Sequence, residues 1–260
     1  MHKDAYSCAV KYQGEMRALG GYLLTGGGDP LTGEFKGLEH ERLFAARGRV
    51  VFLVDPALAE AAAAWREVYI RGLGARATGI VVLRGRATAH DRTLAQKLAQ
   101  VPLVWLAGSE PGRILADLKD TPLARALSAV VAAGGTVGAF GAASGLLGAT
   151  AALIRGERFA FDYGLALLSG VVALPEFDRP AAFEALAEAT AAQPDLVGLG
   201  LPRGAAVWID ARGEGRVLAG RAARLVATGA RVEGASLLGL SVDLLAAGAR
   251  FRVPVYQSGA

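Results

Sequence analysis

The segment that comes nearest to a catalytic motif is the pentapeptide GAASG at residues 141–145. A G-x-S-x-G sequence at a sharp turn from a strand to a helix exposes a serine nucleophile, and its glycines are needed because the turn leaves no room for side chains. Gly141 and Gly145 stand at the two glycine positions, but Ala143 stands where the serine belongs. The segment therefore predicts the backbone of a nucleophile elbow without its hydroxyl group.

Ser144, one residue beyond the predicted tip, allows two hypotheses. A shift of register would make Ser144 the nucleophile, but it would put Ala142 and Leu146 where the elbow needs glycines. Alternatively, the Ser144 hydroxyl caps a helix that begins at Gly145, by accepting a hydrogen bond from a backbone N–H group. We favour the helix cap.

A serine nucleophile also needs a base, and the sequence has three histidines, His2, His40 and His90. His90 follows a predicted strand and could approach a pocket at the strand ends. A histidine in an exposed loop is the more common case, and we favour that interpretation.

The composition predicts one domain. The chain has 260 residues, of which 53% are hydrophobic and 20% charged, enough to bury one substantial core. We expect a single domain over residues 20–260, preceded by an N-terminal segment, residues 1–19. The net charge is +4, but the basic residues are scattered among acidic ones and no five like charges are consecutive. This distribution argues against nucleic acid as the main partner.

Cysteine and histidine are too few to suggest redox or metal chemistry. Cys8 is the only cysteine, so no internal disulfide can form, which fits a reducing compartment. A metal site is not expected, and neither is a cofactor. The N-terminus lacks the apolar segment of a signal peptide, and the apolar stretches are shorter than a membrane span. We therefore expect a cytoplasmic protein without membrane association.

Short apolar runs alternate with longer amphipathic stretches from residue 21 to residue 201, which is typical of an α/β fold with a parallel sheet. We predict a three-layer α/β/α, doubly wound, mostly parallel sheet. The predicted strands are 22–25, 50–54, 79–83, 103–107 and 136–139. The predicted helices are 58–71, 92–99, 123–133, 145–154 and 181–192.

Two local signals add detail to this fold. Asp55-Pro56 and Thr121-Pro122 predict helix starts, since proline suits the first turn of a helix. After residue 201 the apolar runs become short, at 206–209, 216–218 and 224–227, and residues 242–251 are predicted to form a hairpin. We expect a small antiparallel extension at one edge of the sheet.

Several segments, in order along the chain, resemble the cyanophycinase and dipeptidase E family of serine peptidases, whose fold is related to the class I glutamine amidotransferases. The segments are YLLTGGGD at 22–29, residues 104–127 (VWLAGSEPGRILADLKDTPLARAL), GAASG, LALLSGVVALPEFDR at 165–179, DLVGLGLPRGAAVWI at 195–209 and LSVDLLAAGARFRV at 240–253. The resemblance implies the α/β fold and a homodimer. It also implies a pocket for a peptide or small anionic ligand.

The departures from the family pattern are equally informative. The family uses a serine nucleophile, a histidine base and a glutamate that orients the histidine. The matching positions here hold Ala143, Glu176 and Arg203, while Glu110 replaces a glutamine and Leu174 an acid of the family pattern. Loss of a triad costs about a millionfold in rate. The resemblance therefore implies a protein that has lost serine peptidase activity and acts by binding a ligand or a partner.

The alternative is a hydrolase of aspartyl peptides with a rebuilt site, using Ser144 or a water activated by Glu110 or Glu176. Paired carboxylates can do such acid–base work when their pKa values differ. The resemblance places Glu110 and Glu176 near the strand ends, together with Asp178, Arg179 and Arg203. A Glu and an Arg brought together usually form an ion pair, which we favour here.

Two features of the predicted pocket could still bind an anion. If Arg203 stays apart from Glu176, it could hold a ligand carboxylate bidentately, and a contact between the two would count against this hypothesis. The backbone amides of Gly27 and Gly28 could bind an anion as well. The glycine loop lacks the spacing of a dinucleotide-binding motif.

Overall fold

The computed structural model describes residues 20–156, 158–233 and 236–256, and it contains two large β-sheets. The predicted segment 1–19 lies outside the described residues. The larger sheet has eight strands, and its spatial order is β16 (Arg250–Arg252), β11 (Glu214–Ala219), β10 (Ala206–Asp210), β1 (Gly21–Thr25), β5 (Thr136–Ala139), β4 (Leu103–Ala107), β2 (Arg49–Val54) and β3 (Ala77–Val82). The five strands from β1 to β3 in this order run parallel, whereas β10, β11 and β16 pair antiparallel at one edge.

The second sheet has six strands. Its order is β15 (Ser241–Ala246), β12 (Arg221–Val226), β9 (Val197–Leu201), β8 (Leu168–Pro175), β6 (Gly148–Arg155) and β7 (Arg158–Tyr163). The central strands β9, β8 and β6 are parallel, and the outer strands pair antiparallel. A separate two-stranded ribbon is formed by β13 (Arg231–Glu233) and β14 (Ser236–Leu238).

Helices cover both faces of the larger sheet. They are α1 (Lys36–Ala45), α2 (Ala59–Glu67, continued by a π-turn over Val68–Gly72), α3 (Arg86–His90), α4 (Arg92–Leu98), α5 (Pro111–Leu118) and α6 (Pro122–Ala132). A further helix, α7 (Ala182–Ala192), packs against the six-stranded sheet. Successive residues of β1 point to opposite faces: Tyr22 and Leu24 pack with α4, α5 and α6, and Leu23 packs with α1 and α2. This confirms the α/β class with a large, mostly parallel sheet and helices on both sides.

The local signals for helix starts are confirmed. The Asp55 side chain accepts a hydrogen bond from the N–H of Leu58 at 3.1 Å, and Thr121 Oγ1 accepts one from Ala124 at 3.3 Å. In both places a proline occupies the first helical turn. The five predicted parallel strands are also present. The apolar runs of β1, β4 and β5 are buried on both faces, whereas β3 lies at the edge of the sheet and is partly exposed.

Two predicted elements were wrong. Residues 145–154 are not a helix: a 3₁₀ turn over Gly141–Leu146 leads into strand β6, which pairs with β7 and β8. Helix propensities of Ala, Leu and Thr differ by only a few tenths of a kcal/mol, about 0.7 at most, so long-range pairing overrides them. Residues 242–251 are not a hairpin either, since β15 pairs with β12 and β16 pairs with β11.

The six-stranded sheet was not predicted as a separate sheet. Its central strands carry Gly and Ala at many positions, so their sequence has little of the β-branched character that identifies a strand.

Among the described residues, none of the helices has the length and apolar character needed to cross a bilayer.

Helix α1 buries an acid against the aromatic core. Glu39 is 2% exposed and accepts a hydrogen bond from the Tyr69 hydroxyl at 3.3 Å. Arg42, one turn further along α1, pairs with Glu41 instead, at 2.9 Å. Burial raises the pKa of Glu39 to about 7, the hydrogen bond from Tyr69 opposes this rise, and the charge of Asp29 adds to it. Between about pH 4.5 and pH 7, the folded protein therefore holds a proton on Glu39 that the unfolded chain has lost.

We predict that the pKa of Glu39 makes the protein less stable as the pH rises. The pKa is about 7 in the folded protein and 4.5 in the reference state, so the favourable contribution is complete below pH 4.5 and lost as the pH approaches 7. The loss amounts to about 3 kcal/mol in the free energy of unfolding. Glu39→Gln should remove this decline, as measured by urea unfolding between pH 5 and pH 8.

The exposed Glu60 of α2 provides the matched control. Glu60→Gln should leave the pH dependence of the free energy of unfolding as it is in the wild-type protein. If Glu39→Gln and the wild type lost stability in parallel between pH 5 and pH 8, Glu39 would not be the titrating group.

Candidate functional site

The candidate site lies where strands of both sheets end. Gly26, Gly27 and Gly28 follow β1, the 3₁₀ turn follows β5, Glu176 follows β8, and Arg203 lies two residues after β9. The backbone N–H of Glu176 donates to the Gly26 carbonyl at 3.0 Å, and this bond joins the two sheets at the site. The carboxyl ends of strands from two sheets therefore meet, which is where α/β proteins form ligand pockets.

Both glycines of the predicted elbow are required by the geometry of the 3₁₀ turn. Gly141 has a φ of +50°, a conformation that side chains rarely adopt. A Cβ atom at Gly145 would lie 2.8 Å from the carbonyl oxygen of Ala152. Ala143 is fully buried and is not among the described residues with positive φ. The turn is therefore a close-packed connection between two strands, and it has no strained, exposed tip at residue 143.

Ser144 is fully buried and its hydroxyl is bonded to the backbone. Ser144 Oγ accepts a hydrogen bond from the N–H of Thr25 at 3.0 Å. Its proton can go to the carbonyl oxygen of Thr25 at 2.8 Å or to that of Ala139 at 2.9 Å. The prediction that Ser144 caps a helix was wrong, because no helix begins at Gly145. The enclosed hydroxyl also has no path to a substrate.

Thr25 completes this buried junction. Thr25 Oγ1 donates to the carbonyl oxygen of Gly27 at 2.8 Å and accepts a hydrogen bond from the N–H of Gly141 at 3.2 Å. These bonds fix the glycine loop against the 3₁₀ turn. The sequence signal for this role is a polar residue at the end of the apolar run YLLT.

Glu176 and Arg203 form an ion pair. The Glu176 carboxylate lies 3.3 Å from Arg203 Nη2 and 3.7 Å from Arg179 Nη1. Asp178 accepts a hydrogen bond from the backbone N–H of Arg203 at 3.2 Å, and Arg179 donates to the carbonyl oxygen of Gly156 at 2.6 Å. The contact between Glu176 and Arg203 counts against the hypothesis that Arg203 holds a ligand carboxylate bidentately.

The backbone at Glu176 is unusual for its residue type. Glu176 has a φ of 52°, which costs of order 1 kcal/mol in a residue other than glycine. The Arg203 side chain is 66% exposed, and an exposed ion pair contributes only about 0–1 kcal/mol. The cluster therefore balances charge at the strand ends without adding much stability.

Glu110 occupies a different part of the strand ends. It is exposed at the start of α5, and its backbone N–H donates to Asp55 Oδ2 at 3.1 Å. Ser109 donates to the same oxygen from its N–H at 2.8 Å and from its hydroxyl at 3.0 Å. Within the described ranges, no hydrogen bond or ion pair joins Glu110 to Glu176. Asp55, which sequence reasoning identified only at a helix start, is the residue that holds this loop.

The glycine loop presents backbone amides beside charged side chains. Among the described residues, the N–H groups of Gly27 and Gly28 donate to no acceptor within the protein. Arg203 packs over Gly27, where an added Cβ would lie 3.1 Å from its Cγ atom, and the Glu34 carboxylate lies beside Gly28, 2.6 Å from an added Cβ. The loop thus offers two N–H donors between a cation and an anion.

The two histidines in the described part of the chain, His40 and His90, do not supply a base to this site. His90 is exposed at the end of helix α3, with its Nε2 atom 3.4 Å from Arg86 Nη2, so the predicted loop position was wrong. His40 is exposed on α1. Neither histidine has a hydrogen bond to Glu176, Arg203 or Ser144 among the described residues.

Comparison with solved structures identifies the type of fold. A peptidase from an acI-B1 Actinobacterium superposes with a TM-score of 0.66 at 17% identity, covering 90% of this chain and 97% of that one. A candidate peptidase E from Listeria monocytogenes EGD-e gives a TM-score of 0.53 at 14% identity, covering 78% and 98% of the two chains. The chain has a peptidase E-like fold. No protein-family model and no curated protein sequence matches it.

We predict that Ser144 contributes to stability through its buried hydrogen bonds. Ser144→Ala should lower the free energy of unfolding by about 1–3 kcal/mol, because the N–H of Thr25 loses its acceptor in a buried place. Ser128, which is exposed on α6, is the matched control, and Ser128→Ala should change the free energy by about 0.5 kcal/mol or less. Equal effects of the two substitutions in urea unfolding would contradict the assigned role of Ser144.

Proposed function

We propose that this protein is a peptidase E-like protein that does not carry out serine peptidase chemistry and instead binds a small peptide-like ligand at the glycine loop. One observation carries the first part. At the turn after β5, the position expected for a nucleophile holds Ala143, which has no hydroxyl. The hydroxyl of the next residue, Ser144, is enclosed and bonded to the backbone.

The positions of the base and its orienting acid support the same conclusion. Glu176 stands at the base position of the resemblance, and its carboxylate is engaged by two guanidinium groups. Arg203, at the position of the orienting glutamate, always carries a proton and cannot accept one. These two positions therefore lack the histidine and carboxylate pair that takes a proton from a serine nucleophile, and the three substitutions are mutually consistent.

The glycine loop supports the second part of the proposal. The N–H groups of Gly27 and Gly28 can donate hydrogen bonds to a carboxylate, and the Glu34 carboxylate beside Gly28 can accept them from an ammonium group. A short peptide or an amino-acid derivative carries both groups. Because Arg203 is bound to Glu176, we assign the ligand carboxylate to the loop amides and not to a bidentate contact with Arg203.

We predict no hydrolysis of α-aspartyl dipeptides, β-aspartyl dipeptides or cyanophycin above the rate in buffer, measured by the release of free amino groups. The comparison includes Ser144→Ala and its control Ser128→Ala. Turnover that Ser144→Ala abolishes while Ser128→Ala retains it would establish a rebuilt serine hydrolase. Turnover that Glu110→Gln or Glu176→Gln abolishes would instead establish an acid-activated water. Either result would overturn the first part of the proposal.

Ligand binding is tested separately by calorimetry with β-aspartyl dipeptides. Glu34→Gln should weaken binding about tenfold, because the contact of a charged ammonium with a carboxylate is lost. The exposed Glu60 is the control, and Glu60→Gln should leave the Kd unchanged. Absence of saturable binding at millimolar dipeptide, or equal affinity of the Glu34 and Glu60 variants, would overturn the second part of the proposal.

A further inference from the structure

A cavity of about 580 Å³ lies at the end of the larger sheet opposite the glycine loop. Its walls include residues that precede β2, β3, β4 and β5, among them Gly48, Arg76, Pro102 and Gly134, and the C-terminal part of α1. These strands are four to six residues long, so about 15–20 Å separates the cavity from their carboxyl ends. The volume lies in the range of small-molecule sites, about 300–1,000 Å³.

The charged residues that line this cavity are all basic. His40, Arg42, Arg47 and Arg76 contribute to its walls, and none of the described lining residues is Asp or Glu. Arg42 is committed to other contacts, since it pairs with Glu41 at 2.9 Å and its guanidinium lies 4.6 Å from the centre of the Trp208 ring. Arg47 and Arg76 are exposed and form no ion pair with a described residue. Two guanidinium groups are thus available to a ligand.

The backbone holds Arg47 in a conformation that arginine does not favour. Helix α1 ends with two hydrogen bonds, from the N–H of Gly48 to the carbonyl of Leu43 at 2.9 Å and from Arg47 to Phe44 at 3.0 Å. This is the Schellman arrangement, in which the residue at the Arg47 position is left-handed and is usually glycine. Arg47 has a φ of 53°, so a guanidinium is placed here at a cost of about 1 kcal/mol that glycine would avoid.

The second arginine is fixed by the same turn. The N–H of Arg76 donates to the carbonyl oxygen of Gly48 at 2.8 Å, and a Cβ atom at Gly48 would lie 2.9 Å from Arg76 Cγ. The Arg76 side chain therefore crosses directly over Gly48, next to Arg47. The two hydrogen bonds that end α1 also occupy the carbonyl groups of Leu43 and Phe44, so these groups do not face the cavity as unpaired acceptors.

We propose that this cavity is a binding site for a small polyanion, a molecule with two or more phosphate or carboxylate groups, held by Arg47 and Arg76. Guanidinium groups bind both phosphate and carboxylate oxygens in bidentate geometry. The Thr136 hydroxyl at the cavity wall provides a further hydrogen-bond donor. The site is independent of the glycine loop, because it lies at the other end of the sheet.

The proposal is tested on the full-length protein with pyrophosphate and with citrate, which separate a phosphate ligand from a polycarboxylate. Calorimetry should show saturable binding of at least one of them, weaker at high salt. Arg47→Gly and Arg76→Gln should each weaken the Kd about tenfold or more. Arg47→Gly should not lower the Tm of the unliganded protein, since glycine adopts a φ of 53° without strain, so lost binding will not reflect misfolding.

Two controls locate the bound anion. Arg212 is exposed in the turn between β10 and β11, and Arg212→Gln, which removes the same charge, should leave the Kd within about twofold of wild type. Arg203→Gln should do the same. The proposal is overturned if neither anion binds saturably at millimolar concentration. It is also overturned if Arg212→Gln weakens binding as much as Arg47→Gly, or if Arg203→Gln alone abolishes it.

Discussion

The close approach of the backbone after β1 to the backbones after β8 and β9 is the constraint on which the site depends. A Cβ atom at Gly26 would collide with the carbonyl group of Pro202, and the N–H of Glu176 reaches the Gly26 carbonyl at 3.0 Å. Such close packing excludes water, and a buried donor or acceptor without a partner lowers the free energy of unfolding by about 1–3 kcal/mol. The side chains of Ser144 and Thr25 accept hydrogen bonds from the N–H groups of Thr25 and Gly141, and in doing so they join the glycine loop to the 3₁₀ turn.

This junction supports the proposal that the hydroxyl groups near the turn do not act as nucleophiles. A hydroxyl can act as a nucleophile only if it is accessible and next to a base, whereas the Ser144 hydroxyl is buried and hydrogen-bonded to backbone groups. The ion pair of Glu176 and Arg203 lies at the positions that the resemblance assigns to a base and its orienting acid, and it fits the same proposal. Glu176 is the less exposed partner, and Arg203 supplies it with a counter-ion.

The sequence predicted those parts of the molecule that local chemistry decides. Asp55 and Thr121 start helices because a side-chain acceptor and a following proline act within one turn. Strand β6 was predicted as a helix because its pairing with β7 and β8 is not visible in an alanine-rich run. The role of Ser144 depends on Thr25, which lies 119 residues away, and the pairing of Glu176 with Arg203 spans 27 residues. No local pattern contains such contacts.

The charges at the glycine loop and at the cavity are arranged differently. Near the glycine loop, Glu176 is balanced by arginines within 4 Å; at the amino ends of the larger sheet's strands, Arg47 and Arg76 face a cavity without a described acidic neighbour. The dipole of α1 accounts for some of this, because cations near a helix C-terminus gain about 0.3–1 kcal/mol. It does not account for Arg76, which lies outside α1, nor for an arginine at a left-handed position that glycine occupies without strain. A ligand with negative charges explains the basic cavity wall, the position of Arg76 and the left-handed backbone of Arg47. Its charge offsets both the backbone strain and the mutual repulsion of the guanidinium groups.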